Sequence, residues 1–81
     1  MKAKIFVTLK DGILDPQGRA VQQSLQALGF ESVNDVRIGK YLELDLKDTD
    51  TQAAEEVIKA MCQKLLANTV IEDFRYEIVE T

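Results

Sequence analysis

Apolar and polar residues alternate from Val33 to Leu46, the longest strand-like run in the chain. Its apolar residues share one phase and lie at Val36, Ile38, Leu42, Leu44 and Leu46. Period two predicts a half-buried strand. A two-residue hairpin turn at Gly39-Lys40 would flip the apolar face, and the phase does not flip. Two alternatives stay open: a three-residue turn with Gly39 at positive φ that joins two strands, or one long strand bent or bulged at Gly39.

The one-strand alternative has a consequence for assembly. A continuous strand of this length would span roughly 45 Å at about 3.3 Å per residue, which overhangs any sheet that a chain of 81 residues can build. The unpaired backbone groups of such an overhang invite strand addition from another subunit. The pattern therefore favours an oligomer that forms through strands.

The N-terminal half carries a strand and a helix. Residues 2 to 9 alternate, which predicts a first strand, and Asp11-Gly12 predicts a turn. Asp15-Pro16 is an N-cap acid followed by proline at the first helical position. The helix that follows carries an apolar stripe and ends at Gly29 as a left-handed C-cap. Gly18 in its first turn indicates either the close approach of another backbone or a ligand, or a concession to packing. The stripe comprises Val21, Leu25 and Leu28.

The C-terminal half carries a second helix and a last strand. Thr49-Asp50-Thr51-Gln52 resembles a capping box, and a second helix is expected to run to about Leu66. Cys62 borders its buried stripe and is interpreted as a small buried hydrophobe. Asn68 is a candidate left-handed helix stop. The stripe comprises Ala54, Val57, Ile58, Met61 and Leu65. A last strand follows, with Phe74, Tyr76 and Ile78 on one face.

These elements predict one α+β domain over residues 1–81. The order β-α-β(β)-α-β is typical of a two-layer sandwich of ferredoxin-like type, with both helices on one face of an antiparallel or mixed sheet. The other face carries Phe6, Tyr41 and Val79 among charged residues. A second subunit that covers part of this face would explain the mixture.

Composition excludes several classes of function. The net charge of −4 argues against a nucleic-acid footprint, which needs a basic face. The sequence has no apolar h-region and no run of 18 apolar residues, so neither a membrane protein nor a secreted one is expected and the location should be cytoplasmic. The chain has no histidine, and its one cysteine has no neighbour for a disulfide or a metal site.

Candidate chemistry is sparse. Arg37, Lys40 and Tyr41 surround Gly39 and are compatible with an anion-binding patch, or simply with strand cations paired to nearby acids. Four loop acids are compatible with Mg²⁺ or acid/base work, although capping and turn roles account for two of them. These acids are Asp11, Asp15, Glu72 and Asp73. The glycines match neither nucleotide-binding fingerprint.

Three longer motifs add a resemblance that covers nearly the whole chain. They are residues 10–18 (KDGILDPQG), 35–44 (DVRIGKYLEL) and 61–77 (MCQKLLANTVIEDFRYE). Together they resemble the PurS family, the small subunit of phosphoribosylformylglycinamidine (FGAM) synthase. Phe74 stands where relatives of this family often carry tyrosine.

The resemblance implies a non-catalytic role in de novo purine synthesis. In this family a large ATP-dependent synthetase subunit (PurL) makes the amidine from ammonia that a glutaminase subunit (PurQ) releases. The small subunit bridges the two enzymes as a homodimer, or within a tetramer, and is thought to assist the ammonia transfer. No cofactor is expected on this chain, because ATP and Mg²⁺ are used by the large subunit.

The same resemblance suggests residues for subunit contacts. A first candidate patch comprises Arg37, Gly39, Lys40 and Tyr41. A second comprises Asn68, Thr69 and Glu72. Asp15, Pro16, Gln17 and Gly18 are expected to shape the start of the first helix.

Two other classes of function remain open. The chain is compatible with a regulatory module of ferredoxin-like type that binds a small effector between subunits. It is also compatible with a small hydrolase of acylphosphatase-like architecture that uses an arginine and an asparagine.

Overall fold

A computed structural model describes residues 1–47 and 50–79 and gives three strands and two helices. Strand β1 spans Lys2–Leu9, helix α1 Pro16–Ala27, strand β2 Gly39–Asp45, helix α2 Thr51–Met61 and strand β3 Glu72–Val79. All strands are antiparallel, in the order β2-β1-β3. The predicted α+β class is confirmed.

The core lies between the sheet and α2. Alternation along β1 places Ala3, Ile5 and Val7 on the face that α2 covers, where they are buried together with Ile58 and Cys62. The cysteine is therefore the small buried hydrophobe that the sequence indicated. The outer strands add apolar residues that stay partly exposed on the same face, namely Leu42, Leu44, Phe74, Tyr76 and Ile78.

Helix α2 ends differently from the prediction. Its N-cap is Asp50, whose side chain accepts a hydrogen bond from the Gln52 amide; Thr49 lies outside the described residues. After Met61 the backbone widens into a π-helical turn over Cys62–Leu66, closed by the bond from the Ala67 amide to the Cys62 carbonyl. The extra residue turns Leu65 outward, so the prediction that it is buried is wrong: it is 82% exposed. The same prediction is wrong for Val57, which is 41% exposed.

The central stretch forms a strand only from Gly39 onward. Residues 33–38 belong to no strand, and Gly39 does not have a positive φ. Both predicted alternatives, two strands or one long strand, are therefore wrong for these six residues. Their backbone groups bond to side chains instead of a ladder: the Ile38 amide donates to Asp15, and the Asn34 carbonyl accepts from Gln22 of α1.

Helix α1 lies beside residues 33–38 rather than over the centre of the sheet. It begins at the predicted Asp15-Pro16 cap and ends before Gly29, whose φ is +100°. Its apolar stripe was predicted to be buried, but Val21 is 40% exposed and Leu28 is 74% exposed. The described chain measures 48 × 28 × 14 Å. This flat, elongated shape shows that α1 and its neighbouring segment extend beyond the core.

Candidate functional site

The three sequence motifs meet at one end of the sheet. Antiparallel pairing sets the end of β1 beside the starts of both other strands, with Thr8 opposite Gly39 and Leu9 opposite Glu72. The start of α1 lies at the same end. A depression of about 520 Å³ opens there, and each motif contributes to its lining. The lining residues are Leu9, Asp15, Pro16, Gln17, Ile38, Gly39, Lys40 and Glu72.

Asp15 ties α1 to the segment before β2. One carboxylate oxygen accepts the Gly18 amide at 2.8 Å, and the other accepts the Ile38 amide at 2.8 Å. These bonds, led by the one from Ile38, hold the pKa of Asp15 below its usual value. Both oxygens are thus engaged with the backbone, which explains Asp15 by structure rather than by acid/base chemistry.

Arg37 turns inward at the same place. Its Nη2 donates to the carbonyls of Leu9 (2.8 Å) and Lys10 (2.9 Å), and its Nε lies 4.0 Å from Asp15. The guanidinium therefore fastens the segment before β2 to the end of β1. It is not joined with Lys40 and Tyr41 into one anion-binding patch.

Two glycines allow backbones to approach closely here. A Cβ on Gly18 would overlap the carbonyl oxygen of Val36, and a Cβ on Gly39 would overlap that of Val7. At Gly18 the structure thus favours the close-approach interpretation over a packing concession. Residues 15–18 shape the start of the helix as expected, by joining it to the neighbouring chain segment.

The second candidate patch is a loop that bonds to itself. The Asn68 amide donates to the Glu72 carboxylate at 2.7 Å, and the Glu72 amide donates back to the Asn68 carbonyl at 2.7 Å. Asn68 does not adopt the left-handed conformation predicted for it, since no non-glycine residue described has a positive φ. Thr69 is exposed, and Val70 is 80% exposed. A braced loop thus presents an apolar side chain to solvent.

Tyr41 lies at the border of a second depression, on the face of the sheet opposite α2. The Tyr41 ring lies 5.1 Å from that of Phe6, and its hydroxyl donates to Glu43 at 2.8 Å. Burial, with Glu43 second, raises the pKa of Tyr41. Lys40 is exposed. The face therefore combines an aromatic centre with charges around it.

Arg75 is the member of this face that the sequence analysis missed. Its guanidinium lies 3.9 Å from the centre of the Phe6 ring and pairs with Glu77 at 3.2 Å. The cavity beside it measures about 370 Å³ and also borders Tyr41 and Asp73. Alternation along β3 already placed Arg75 on this face, but only the pairing register puts it opposite Phe6.

Two further loop acids have structural partners. Glu72 bonds within its loop, and Asp73 pairs with Lys10 at 3.5 Å. The Cys62 thiol is buried, and that burial raises its pKa. No cluster of three metal-ligating side chains occurs in residues 1–47 and 50–79. Over the same residues, no helix combines the length and the apolar character that a membrane crossing requires.

Comparison with known proteins gives a family match. A family model named PurS and described as phosphoribosylformylglycinamidine (FGAM) synthase matches residues 2–80. The PurS subunit of that synthase from Bacillus subtilis is 53% identical over 79 residues, which cover 98% of this chain and 93% of the relative. The Synechocystis PurS subunit is 52% identical over 75 residues, which cover 93% of this chain and 75% of the relative.

Solved structures agree with the sequence match. The structure of B. subtilis PurS superposes with a TM-score of 0.86 at 53% identity and covers 98% of both chains. A chain in the structure of PurLQS from Thermotoga maritima superposes with a TM-score of 0.86 at 28% identity, covering 94% of this chain and 93% of that one.

Proposed function

The chain belongs to the PurS family, the subunit of FGAM synthase in purine biosynthesis, and from this premise we propose that it is a non-catalytic bridge between the synthetase and glutaminase subunits. In this role it assists the transfer of ammonia from one enzyme to the other. The observation that carries the proposal is the shape of the protomer, which is too extended for a chain that works alone.

The dimensions of the chain support association with a second copy. Its radius of gyration is 16.0 Å, whereas a compact domain of this length has about 12 Å and a compact assembly of two such chains about 15 Å. Its accessible surface is 5905 Å², against about 4,900 Å² for a compact monomer of this mass. We therefore infer a homodimer as the basic unit, with a tetramer as the larger alternative.

Exposed apolar side chains on α1 and beside it support the same inference. Leu14, Val21, Leu28 and Phe30 all lie on the surface of the single chain. Large exposed apolar patches mark interaction sites in soluble proteins. Burial of these side chains in an assembly would supply stability that a small, flat protomer cannot obtain from its own core.

We propose that the partner enzymes bind at the end of the sheet where the three motifs meet. Its loops are braced by internal bonds, so little order has to be gained on binding, and rigid surfaces bind with a smaller entropic cost. The T. maritima structure is named as PurLQS, which supports the synthetase and glutaminase subunits as partners. Lys40, Thr69 and Val70 are the exposed side chains that we propose for this contact.

ATP and Mg²⁺ are, in this proposal, bound by the large subunit and not by this chain. Of the four loop acids, Asp15, Glu72 and Asp73 are engaged with backbone amides or a lysine, which supports a structural role for these three. The net charge of −4 supports protein partners over nucleic acid. We place this activity in the cytoplasm together with the partner enzymes.

Turnover of the reconstituted complex tests the bridge. Amidine formation by the synthetase and glutaminase subunits is measured with and without the chain, once with glutamine and once with free ammonia. We expect glutamine-supported turnover to require the chain and ammonia-supported turnover to proceed without it. Equal glutamine-supported rates with and without the chain would refute the proposal and favour the effector-binding module.

A charge variant locates the contact in the same assay. Lys40→Glu should lower glutamine-supported turnover, because it reverses an exposed charge at the proposed contact. Lys59→Glu on α2 makes the same change of charge on an exposed position away from it and serves as the matched control. Equal effects of both variants would place the contact elsewhere.

A further inference from the structure

Three flat side chains form one row across the sheet, on the face opposite α2. The pairing register places Phe6 of β1 between Tyr41 of β2 and Arg75 of β3. The two ring centres are 5.1 Å apart with an angle of 38° between the ring planes, and the guanidinium lies 3.9 Å from the centre of the Phe6 ring. We call these three residues the aromatic row, because together they form a continuous surface of delocalised groups.

The aromatic row is accessible and held in place at both ends. Tyr41 is 49% exposed, and the side chain of Arg75 is 67% exposed. The Tyr41 hydroxyl donates to Glu43 at 2.8 Å, and the Arg75 guanidinium donates to Glu77 at 3.2 Å. Both glutamates flank Lys4 in the neighbouring cross-strand row. Side chains fixed in this way lose little conformational freedom when a ligand binds.

A hollow borders the aromatic row on its other side. The next cross-strand row consists of Gly39, Thr8 and Asp73, which fill little space. A Cβ at position 39 would overlap the carbonyl oxygen of Val7, so the sheet itself keeps this position without a side chain. The depression measures about 370 Å³. This volume lies within the range of small-ligand pockets, about 300–1,000 Å³.

Polar groups at the hollow suit the edge of a ring that carries N–H groups. The Asp73 carboxylate borders it, and its ion pair with Lys10 engages Oδ1 at 3.5 Å. A carboxylate has two oxygens and can accept further hydrogen bonds. The Thr8 hydroxyl lies at an exposed position and can donate or accept. A flat surface with an acceptor beside it therefore fits a planar heterocycle with an amino group.

The charges of this face favour recognition through a ring rather than through phosphate. Carboxylates outnumber cations here, so a highly anionic ligand gains little. The acids are Glu43, Asp45, Asp73 and Glu77, and the cations are Lys2, Lys4 and Arg75. Stacking on aromatic rings and guanidinium groups binds nucleobases of any sequence. A single nucleoside fits this face better than a nucleic-acid strand, which needs a basic surface.

We propose that this depression binds a nucleobase with an exocyclic amino group, its ring against the aromatic row and its N–H edge toward Asp73. Guanine fits best, because its ring N–H and its amino group point in the same direction and can meet both oxygens of one carboxylate. The site is on the opposite face of the sheet from Lys40, and the proposal does not depend on the bridging function.

Titration of the full-length chain followed by two-dimensional NMR of its backbone amides tests the ligand class. We expect guanosine monophosphate to shift the amides of Thr8, Gly39 and Arg75, and ribose phosphate to leave them unchanged. Purine riboside monophosphate has the ring without the amino group and should bind about 10-fold more weakly. Adenosine and adenosine monophosphate should bind equally. Equal shifts with ribose phosphate, or stronger binding of N-acetyltryptophanamide than of guanosine monophosphate, would overturn the proposal.

Variants of the aromatic row test the stacking. Tyr41→Leu should weaken guanosine monophosphate binding about 10-fold, because it removes the ring, whereas Tyr41→Phe keeps the ring and should stay within about 2-fold of wild type. Arg75→Lys keeps the charge without the planar group and should weaken binding about 5-fold. Arg19→Lys makes the same change at an exposed position on α1 and is the matched control. Wild-type affinity of Tyr41→Leu would refute stacking on this row.

Asp73→Asn tests the hydrogen-bonding edge. It should lower the affinity for guanosine monophosphate to that of purine riboside monophosphate and leave the affinity for the latter unchanged, because only the amino-bearing ring uses the carboxylate. An equal loss for both ligands would show that the residue acts through the fold and would overturn its assigned role. The spectra of each variant without ligand report whether the fold is kept.

These readouts use no enzyme activity. A chain that binds guanosine monophosphate as expected but does not support glutamine-dependent turnover would refute the bridging function alone. A chain that supports turnover but shows no shifts with any of the nucleosides or nucleotides would refute the nucleobase site alone.

Discussion

Arg37 offers the sharpest test of how the candidate site is built. From sequence it was a candidate for subunit contacts, and an Arg37→Glu variant would then keep its fold and lose assembly. In the structure its guanidinium donates to two carbonyls at the end of β1 and lies beside Asp15. We therefore expect its loss to weaken the fold itself.

The magnitude follows from the two hydrogen bonds. A hydrogen bond that involves a charged group contributes about 1.5–3 kcal/mol net. Both bonds come from one nitrogen, and the side chain is 30% exposed, so water can reach the carbonyls after truncation. We expect Arg37→Ala to lower the free energy of unfolding by about 2 kcal/mol, or the melting temperature by about 8–16 °C for a domain of this size.

The assay is chemical and thermal unfolding at one fixed protomer concentration, since association makes the midpoint concentration-dependent. Arg37→Lys keeps the charge without the planar fork and should fall between wild type and Arg37→Ala. Arg19→Ala, at an exposed position on α1, is the matched control and should change stability by less than about 0.5 kcal/mol. Wild-type stability of Arg37→Ala together with lost assembly would refute the structural role.

Three further predictions concern the elements around this site. Because the folded state lowers the pKa of Asp15, its contribution to stability is complete well above pH 4 and declines as the pH falls through the lowered value; Asp15→Asn should flatten stability over this acidic range in pH-dependent unfolding. Gly18→Ala should destabilise although alanine is the better helix former, because its Cβ meets the Val36 carbonyl; higher stability in thermal unfolding would contradict this. Leu65→Gln should leave the unfolding free energy of the chain within about 0.5 kcal/mol, whereas Ile58→Ala should cost about 2–5 kcal/mol; similar costs would show that the π-helical turn is misplaced.

The parts of the fold that sequence predicted are those that bury their apolar face within one chain. Period two along β1 and β3 placed Ala3, Ile5 and Phe74 on the correct face, since a strand's alternation reports its buried side directly. The start of α2 followed from the capping residues around Asp50. Periodicity then failed at Leu65, because one inserted residue in a π-helical turn changes the phase without a signal in composition.

The strand predicted for residues 33–38 is absent for a different reason. Their alternation is real, but a strand also needs a partner for its amides and carbonyls, and here side chains from α1 and its cap take that place. The convergence of the three motifs depended on the strand order, which the sequence did not determine. The inward turn of Arg37 was equally unpredictable, because the carbonyls it binds belong to a distant part of the chain.

Helix α1 shows most clearly what a pattern can and cannot report. Its stripe predicted that an apolar face exists, and that was correct; the prediction that this chain buries the face was wrong. In a chain that works within an assembly, the apolar pattern reflects burial against partner chains as well as burial within the chain. The fold of one chain therefore buries only part of its apolar pattern. The unburied stripe and the large radius of gyration both support the homodimer that we propose, in which the functional unit is larger than one chain. In the bridging role that we propose, such a dimer has an advantage: a flat protomer would keep the braced end of its sheet available to other proteins while a second copy buries its remaining apolar surface.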